Sequence, residues 1–232
     1  MLSDTFFSNI KNELIVSCQA LQGEPMFGSF IMGRMALAAK QGGAIAIRAN
    51  GTEDIKEIKK MVDLPIIGLI KRNYPGSDVY ITPTKLEIDE LLNIGVDVVA
   101  LDATGRKRPN GEKIEDLVEY LRSKDQLIMA DISNLEEGIY AESLGVDCVS
   151  TTLFGYTSET AGIEGPNFEL VKELSLTLKI PVIAEGRISS PEQAAHAMQI
   201  GAHSVVVGSA ITRPQITTEQ YVKKIKEYQN GN

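Results

Sequence analysis

The segment with the clearest chemical potential lies near the C-terminus, at residues 180–214. It contains two short apolar runs, PVIAEG and SVVVGSA. Gly186 follows Glu185 at the end of the first run, and Gly208 follows Val207 in the second. Backbone N–H groups after such a strand can bind an anion, and a helix start behind them adds its positive dipole end. Glu185 closes the first run, so a candidate reactive carboxylate accompanies this predicted phosphate site. The residues predicted to bind phosphate are Gly186, Arg187, Gly208, Ser209 and Arg213.

Polar residues also close most of the other apolar runs of the chain. If these runs are strands of a barrel, their C-terminal ends meet at one mouth, where catalytic groups lie. Bringing a lysine, an arginine and three carboxylates together costs desolvation, which favours a functional site over a scaffold. In chain order the strand-end residues are Gln19, Arg48, Lys71, Asp102, Asp131, Thr151, Thr152, Glu185, Gly208 and Ser209.

A repeat of roughly 50 residues predicts the elements that position these groups. Its marker is a helix end, a glycine and then an apolar run, at Gly43, Gly95, Gly145 and Gly201. Eight apolar runs alternate with helical segments, which predicts a single-domain (β/α)8 TIM barrel over residues 1–232. The alternative is an open doubly wound sheet, which we disfavour because no early Gly-x-Gly-x-x-Gly turn is present.

Local signals place the helix ends and the closed end of the barrel. Thr52, Thr84 and Ser190 are candidate helix N-caps, and Pro191 suits a first helical position. A second set of apolar residues predicts a short N-terminal helix that closes the lower mouth of the barrel: Phe6, Phe7, Ile10 and Leu14.

Composition narrows the function class. The net charge of −8 disfavours nucleic-acid binding. No apolar run approaches the ~20 residues of a membrane-spanning helix, and the N-terminus lacks a signal-peptide pattern. We therefore expect a cytoplasmic protein without a membrane partner. Cys18 and Cys148 lie in predicted strands and are expected to be buried, reduced thiols.

Histidine is too scarce for most metal or nucleophile chemistry. The two histidines are His196, in a predicted helix, and His203, at the N-terminal end of the last strand. We expect no metal and no cofactor, with a magnesium ion held by Asp102 and Asp131 as the alternative. The residue types that are left favour acid–base chemistry by a lysine and carboxylates on a phosphorylated small molecule.

Several motifs together resemble one family. SCQA, FIMGRMALAA, IRAN, GLIKR, ALDAT, MADIS, TTLFGYT, IAEGR and VVGSAITRP occur in the order found in the N-acylglucosamine-6-phosphate 2-epimerase family. The resemblance implies interconversion of N-acetylmannosamine 6-phosphate and N-acetylglucosamine 6-phosphate in bacterial sialic acid use. It further implies Lys71 and Glu185 as the reactive pair. The substrate contacts expected from these motifs are Gln19, Arg48, Asp131, Thr152 and Tyr156.

The implied reaction fits these residue types. Carbon 2 of the open-chain sugar lies next to the aldehyde, so loss of its proton gives an enolate. Lys71 can remove that proton if its pKa is lowered toward 7–8. Nearby carboxylates would raise that pKa, whereas burial, Arg48 and Arg72 would lower it.

The sequence leaves other activities, and the number of subunits, undecided. One is a Schiff-base lyase or aldolase that uses Lys71. A metal-dependent pentose-phosphate epimerase and a non-catalytic phosphosugar sensor are less favoured. A homodimer is also open.

Overall fold

A closed barrel of eight parallel strands forms the centre of the protein. The computed structural model describes residues 2–162 and 165–229. Each strand pairs with the next in chain order, and the eighth pairs with the first. The predicted TIM barrel is confirmed, and the open sheet is excluded. The strands are β1 (Leu14–Cys18), β2 (Ala46–Asn50), β3 (Ile66–Leu69), β4 (Val98–Asp102), β5 (Leu127–Asp131), β6 (Cys148–Ser150), β7 (Val182–Glu185) and β8 (Ser204–Val207).

Helices surround the barrel and extend it at both ends of the chain. Short 3-10 turns occupy Pro109–Gly111 and Thr151–Leu153. The helices are α1 (Leu2–Ile10), α2 (Ser29–Gln41), α3 (Thr52–Met61), α4 (Lys85–Ile94), α5 (Ile114–Arg122), α6 (Leu135–Leu144), α7 (Phe168–Thr177), α8 (Pro191–Gln199), α9 (Ser209–Thr212) and α10 (Pro214–Gln229).

Side chains alternate along each strand, and the inward-facing ones form both the apolar interior of the barrel and the polar mouth above it. Every second residue points into the barrel. On β5, Met129 lies in the apolar interior, and Asp131 lies one step nearer the mouth. On β2, Ala46 lies in the interior, followed on the same face by Arg48 and Asn50. The inward residues thus change from apolar to polar toward the C-terminal ends of the strands.

The N-terminal helix closes the opposite end of the barrel, as predicted. Phe6, Phe7 and Ile10 are buried against the apolar interior of the strands. His203 joins this contact, with its Nε2 atom 2.7 Å from the carbonyl oxygen of Phe7. Leu14 was predicted to belong to this helix, which is wrong. It begins β1 and packs outside the barrel, because the chain turns at residues 11–13 before the strand starts.

The predicted helix signals are mostly confirmed. The side chains of Thr84 and Ser190 accept hydrogen bonds from helix N–H groups, and Pro191 is the first residue of α8. Thr52 is not an N-cap: Gly51 takes that position with a φ of 82°, and Thr52 starts α3. Gly95 ends α4 in the left-handed conformation (φ 73°), which a side chain would strain.

The segment between β3 and α4 inserts a short extended stretch into the barrel wall. Ile81 forms an antiparallel bridge with Lys71, and its carbonyl oxygen accepts from the backbone N–H of Asp102, 3.1 Å away. The buried Thr82 hydroxyl donates to the Ala100 carbonyl oxygen (2.6 Å) and accepts from the N–H of Ile70 (3.2 Å). The upper ends of β3 and β4 are therefore bonded to this stretch rather than to each other.

The C-terminal helix α10 contributes no buried residue. Its apolar side chains are exposed, including Tyr221, Val222, Ile225 and Tyr228. Within residues 2–162 and 165–229, no helix is long and apolar enough to span a bilayer. Cys18 and Cys148 are buried free thiols, as predicted.

Candidate active site

Arg48 and two carboxylates form a buried ionic cluster inside the mouth. Arg48 Nη2 donates to Asp131 Oδ2 at 2.5 Å, and Nη1 lies 3.2 Å from Glu185 Oε2. The Arg48 and Asp131 side chains are almost completely buried, and the Glu185 side chain is 12% exposed. Residues predicted at three different strands are thus brought together, because all three lie on inward positions. Glu185 alone of the three opens toward the mouth.

Hydroxyl groups from β6 and the turn after it complete this cluster. Thr152 Oγ1 lies 2.8 Å from Asp131 Oδ1 and 3.0 Å from Glu185 Oε2. Ser150 Oγ lies 3.2 Å from the same Glu185 oxygen. The Thr151 hydroxyl instead bonds the backbone carbonyl and N–H of Glu185. The turn therefore fixes both the main chain and the carboxylate of Glu185.

The cluster holds more negative charge than its arginine compensates. Burial raises the pKa of Asp131 and of Glu185, and a neighbouring carboxylate adds to each effect: Asp102 acts on Asp131, and Asp131 acts on Glu185. Arg48 opposes both shifts without cancelling them. A proton is consequently held more readily here than at an exposed carboxylate, which suits Glu185 to acid–base work.

Lys71 lies two residues beyond β3 with an uncompensated ammonium group. Among the described residues, no hydrogen-bond acceptor or carboxylate pairs with its Nζ atom, while its backbone N–H donates to Asn50 Oδ1 at 2.7 Å. Burial and the charge of Arg48 lower the pKa of Lys71 to about 8, and Arg213 adds to this effect. Glu185 pulls the other way and is outweighed. A substantial neutral fraction at mildly alkaline pH follows.

Arg72 does not act on Lys71 as the sequence suggested. Its side chain points outward and pairs with Glu87 and Glu90 of α4. The reason is the alternation of side chains, which turns neighbouring residues to opposite faces of the strand. Arg213, which is remote in sequence, has the effect on the pKa of Lys71 that was expected of Arg72.

Asp102 is engaged by its own loop. Its Oδ1 atom accepts from the N–H and hydroxyl of Thr104, and its Oδ2 atom accepts from Arg106 Nη2 at 2.6 Å. Asp131 is likewise paired, with Arg48. Across residues 2–162 and 165–229, no group of three or more His, Cys, Asp or Glu side chains could hold a metal ion. The two aspartates therefore do not fit the alternative of a magnesium site.

The loops after β7 and β8 lie side by side at the mouth. Gly186 has a φ of 107°, and Gly208 precedes the short helix α9. A side chain at Gly208 would approach Ser17 Cβ to 3.3 Å, so the loop after β8 packs closely against β1. A side chain at Gly186 would instead lie 3.5 Å from the Thr151 carbonyl oxygen, in the turn after β6. Arg187 Nη2 donates to the Gly155 carbonyl oxygen at 2.9 Å, so its guanidinium is turned toward the loop after β6.

Arg213 is held over the start of α9. Its Nη1 atom donates to Ser209 Oγ at 2.9 Å, and its Nη2 atom donates to Glu24 Oε2 at 3.0 Å. Nε lies 2.7 Å from Glu24 Oε1, without the alignment of a hydrogen bond. Two of the predicted phosphate-binding residues, Ser209 and Arg213, are thus in direct contact.

Gln19 and Tyr156 occupy opposite parts of the mouth. Gln19 donates from Nε2 to Ser17 Oγ at 2.9 Å, and its buried Oε1 atom has no partner among the described residues. This oxygen is available to a donor on a ligand. Tyr156 is 53% exposed, and the Arg187 guanidinium lies 5.1 Å from its ring centroid. It lies at the rim rather than in the ionic cluster.

Comparison with known proteins identifies the family. The family model NanE, "Putative N-acetylmannosamine-6-phosphate epimerase", matches residues 32–227. The chain belongs to this family. A protein of Clostridioides difficile (strain 630) named "Putative N-acetylmannosamine-6-phosphate 2-epimerase" is 58% identical over 94% of this chain and 97% of its own length. The same name is borne by a Clostridium perfringens (strain SM101) protein, 60% identical over 94% and 98%.

A solved structure of the NanE family agrees in fold. The structure of the N-acetylmannosamine-6-phosphate 2-epimerase from Clostridium perfringens has a TM-score of 0.92 and 59% identity, over 94% of this chain and 95% of that chain. Thiamine phosphate pyrophosphorylase from Pyrococcus furiosus, at 19% identity and a TM-score of 0.59, shares the fold alone. The resemblance seen in the sequence is confirmed.

Four residues of this NanE-family site escaped the sequence analysis. Arg106 and Glu24 bond predicted site residues from loops whose sequences carry no regular pattern. Ser150 and Asn50 did carry a signal, because each lies two residues from a singled-out position and so faces the same way. Alternation along a predicted strand could have found both.

Proposed function

We propose that this chain is an isomerase, a 2-epimerase that converts N-acetylmannosamine 6-phosphate into N-acetylglucosamine 6-phosphate. The reaction belongs to the use of sialic acid and other amino sugars. Family membership supports the substrate. The observation that carries the chemistry is the Lys71 amine, which is unpaired among the described residues and has a pKa of about 8, together with Glu185, a buried carboxyl group whose pKa is raised.

The proposed reaction passes through the open-chain sugar. Neutral Lys71 takes the proton from carbon 2, and the electrons of that C–H bond move toward the carbon 1 aldehyde to give an enolate. Return of a proton to the other face of carbon 2 inverts it. Glu185 moves a proton at a sugar hydroxyl, or serves as the second acid–base group on carbon 2. Burial raises its pKa, which favours either role because the carboxyl group then holds a proton more readily than an exposed one.

We assign substrate contacts around this pair. Gln19, Arg48, Asp131, Thr152 and Tyr156 are the proposed contacts, of which Arg48, Asp131 and Thr152 act mainly by holding Glu185 in place. Gln19 offers its unpartnered oxygen to a donor such as the N-acetyl N–H. No metal takes part in this scheme, and we expect EDTA to leave turnover unchanged.

The loops after β7 and β8 are the proposed phosphate site. In this fold phosphate commonly binds there, at the N-terminus of a short extra helix. The Arg213 contact with Ser209 supports this assignment for Gly208, Ser209 and Arg213. Gly186 and Arg187 remain part of the proposal, although Arg187 reaches the substrate only if it leaves Gly155.

The deciding experiment is proton NMR of N-acetylmannosamine 6-phosphate with the protein in deuterated water. Epimerisation by deprotonation places deuterium at carbon 2 of the product. A lyase would instead cleave the sugar, and its Schiff base on Lys71 would be trapped by borohydride as a covalent adduct. If neither the epimerised product nor deuterium exchange is observed, the chain would be a phosphosugar-binding protein without catalytic activity.

We further propose a cytoplasmic homodimer that binds neither nucleic acid nor membrane. Two reduced buried thiols are typical of a cytoplasmic protein. The dimer is supported by α10, whose Tyr221, Val222, Ile225 and Tyr228 are left exposed by the described residues of one chain. Analytical ultracentrifugation tests it: removal of α10 should shift a dimer to the mass of one chain.

A further inference from the structure

Asn50 is placed among the reactive groups without a role so far. It is the last residue of β2 and lies two residues beyond Arg48. Because side chains alternate along a strand, Asn50 shares the inward face of Arg48 and lies about 6.6 Å nearer the mouth. Unlike Arg48, it is only partly buried. Its amide is therefore at the level where a substrate enters.

The backbone of Lys71 fixes which way this amide points. Asn50 Oδ1 accepts from the Lys71 N–H at 2.7 Å. A backbone N–H needs an acceptor, so the oxygen of the amide must face it, and the nitrogen must face away. No acceptor for Asn50 Nδ2 is found in the parts of the chain that the structure describes. Two N–H bonds beside the candidate base are thus available to a ligand.

Two other side-chain donors of the mouth are committed elsewhere or lie deeper. Arg48 directs Nη1 and Nη2 at Met129 Sδ, Asp131 and Glu185. Its Nε atom has no partner among the described residues, but it is buried and belongs to a residue one inward position below Asn50. Gln19 directs its amide nitrogen at Ser17 Oγ. An enolate oxygen formed next to Lys71 needs a donor at the level of the amine, and Asn50 Nδ2 is free there.

We propose that Asn50 is a catalytic residue whose Nδ2 donates a hydrogen bond to oxygen 1 of the enolate while its Oδ1 holds the backbone of Lys71. This assignment rests on the proposed epimerase function. In the step concerned, the carbon 2–hydrogen bond breaks and the proton goes to Lys71 Nζ. The bonding pair forms the carbon 1–carbon 2 double bond, and the carbonyl π pair moves to oxygen 1. Return of a proton to the other face of carbon 2 reverses these electron shifts and completes the inversion.

The expected contribution is that of one oxyanion donor. Removal of a single such donor lowers kcat by about 10²–10³-fold in other enzymes. The donor acts on charge that exists only in the enolate, so kcat should fall and KM should change little.

Asn50→Asp separates donation from anchoring. The carboxylate keeps an acceptor for the Lys71 N–H, removes the donor and adds a negative charge. That charge alone would raise the pKa of Lys71, which shifts the alkaline rise in rate to higher pH but restores the full rate beyond it. Loss of the donor keeps the high-pH plateau low. Asn93→Asp, exposed on α4, is the matched control and should match wild type.

The measurement is kcat against pH, from pH 6 to 10.5, by carbon 2 deuterium incorporation. We expect an Asn50→Asp plateau about 10²–10³-fold below wild type, with unchanged thermal unfolding. A plateau equal to wild type at a shifted pH would overturn the inference and leave the epimerase function intact. A wild-type chain without incorporation would overturn both.

Discussion

On the side of the mouth formed by β2, β5 and β7, each charged side chain has a partner of opposite charge. On the side formed by β3, the Lys71 amine has none in residues 2–162 and 165–229. Arg48 is bonded to Asp131 and Glu185. Burial alone therefore does not make a group reactive. On the paired side Arg48 opposes the rise in carboxyl pKa that burial causes, whereas on the β3 side burial without a partner lowers the pKa of Lys71 to about 8.

Lys71→Ala should cause the largest loss of activity. Without the amine the proposed base for the carbon 2 proton is missing, so we expect kcat to fall by ~10²–10⁴-fold or more. Lys71→Arg is the matched variant, because it keeps a cation but cannot deprotonate. Both variants should show cooperative thermal unfolding like wild type. Retention of more than half of the wild-type rate in Lys71→Ala would remove Lys71 from the base role.

Glu185→Gln should be damaging on the opposite side of the mouth. The amide keeps the shape and a contact to Thr152, but it cannot carry a proton. We expect kcat to fall by ~10²–10⁴-fold, while stability holds because Arg48 and Asp131 still pair. Solvent exchange at carbon 2 of the substrate survives if Glu185 acts only on one face of carbon 2, because Lys71 still exchanges the proton on the other face. Full turnover would make Glu185 a rim residue.

Arg48→Met should break the paired side as a structural unit. It leaves Asp131 and Glu185 buried without their cation, which costs about 3–5 kcal/mol of unfolding free energy at neutral pH. The folded variant then holds protons more tightly than the unfolded chain, so its stability should fall as pH rises. Urea unfolding at pH 5 and pH 8 measures this.

The control for that change is Arg122→Met, which breaks a more exposed pair with Asp147. It should cost no more than about 1 kcal/mol. An equally small cost for Arg48→Met would mean that water, rather than Arg48, compensates the two carboxylates.

The ionic cluster also shows which parts of the site can be predicted from the sequence. Glu185 and Asp131 were predicted because a strand end is a local pattern and the barrel brings all strand ends together. The partners Glu24 and Arg213 are 189 positions apart, and Arg106 reaches Asp102 from an irregular loop. Such contacts depend on loop conformation, which no periodicity encodes.

Two errors came from neglecting short-range geometry. Arg72 was expected to influence Lys71, although neighbouring residues on an extended chain face opposite sides. Leu14 was assigned to the N-terminal helix, although the chain has already turned into β1 there.

Arg213→Ala should give a smaller and substrate-dependent loss. Hydrogen bonds to a charged group contribute about 1.5–3 kcal/mol, so kcat/KM for the phosphorylated sugar should fall about 10–150-fold. Unphosphorylated N-acetylmannosamine should be a poor substrate whose rate hardly changes. Arg213 also lowers the pKa of Lys71, so both sugars are compared at pH 9, where that effect is small. An equal loss on both sugars would show that Arg213 acts through structure.

The most direct test of the contrast is NMR titration of the Lys71 side-chain nitrogen in the ligand-free protein, assigned with Lys71→Arg. Burial and Arg48 predict a midpoint of about 8, and the rise of kcat/KM with pH should follow the same midpoint. Other lysines, such as the exposed Lys56, serve as internal references. A midpoint for Lys71 near the ordinary 10.5 would contradict the account, because the amine would then be protonated at working pH and could not act as the base.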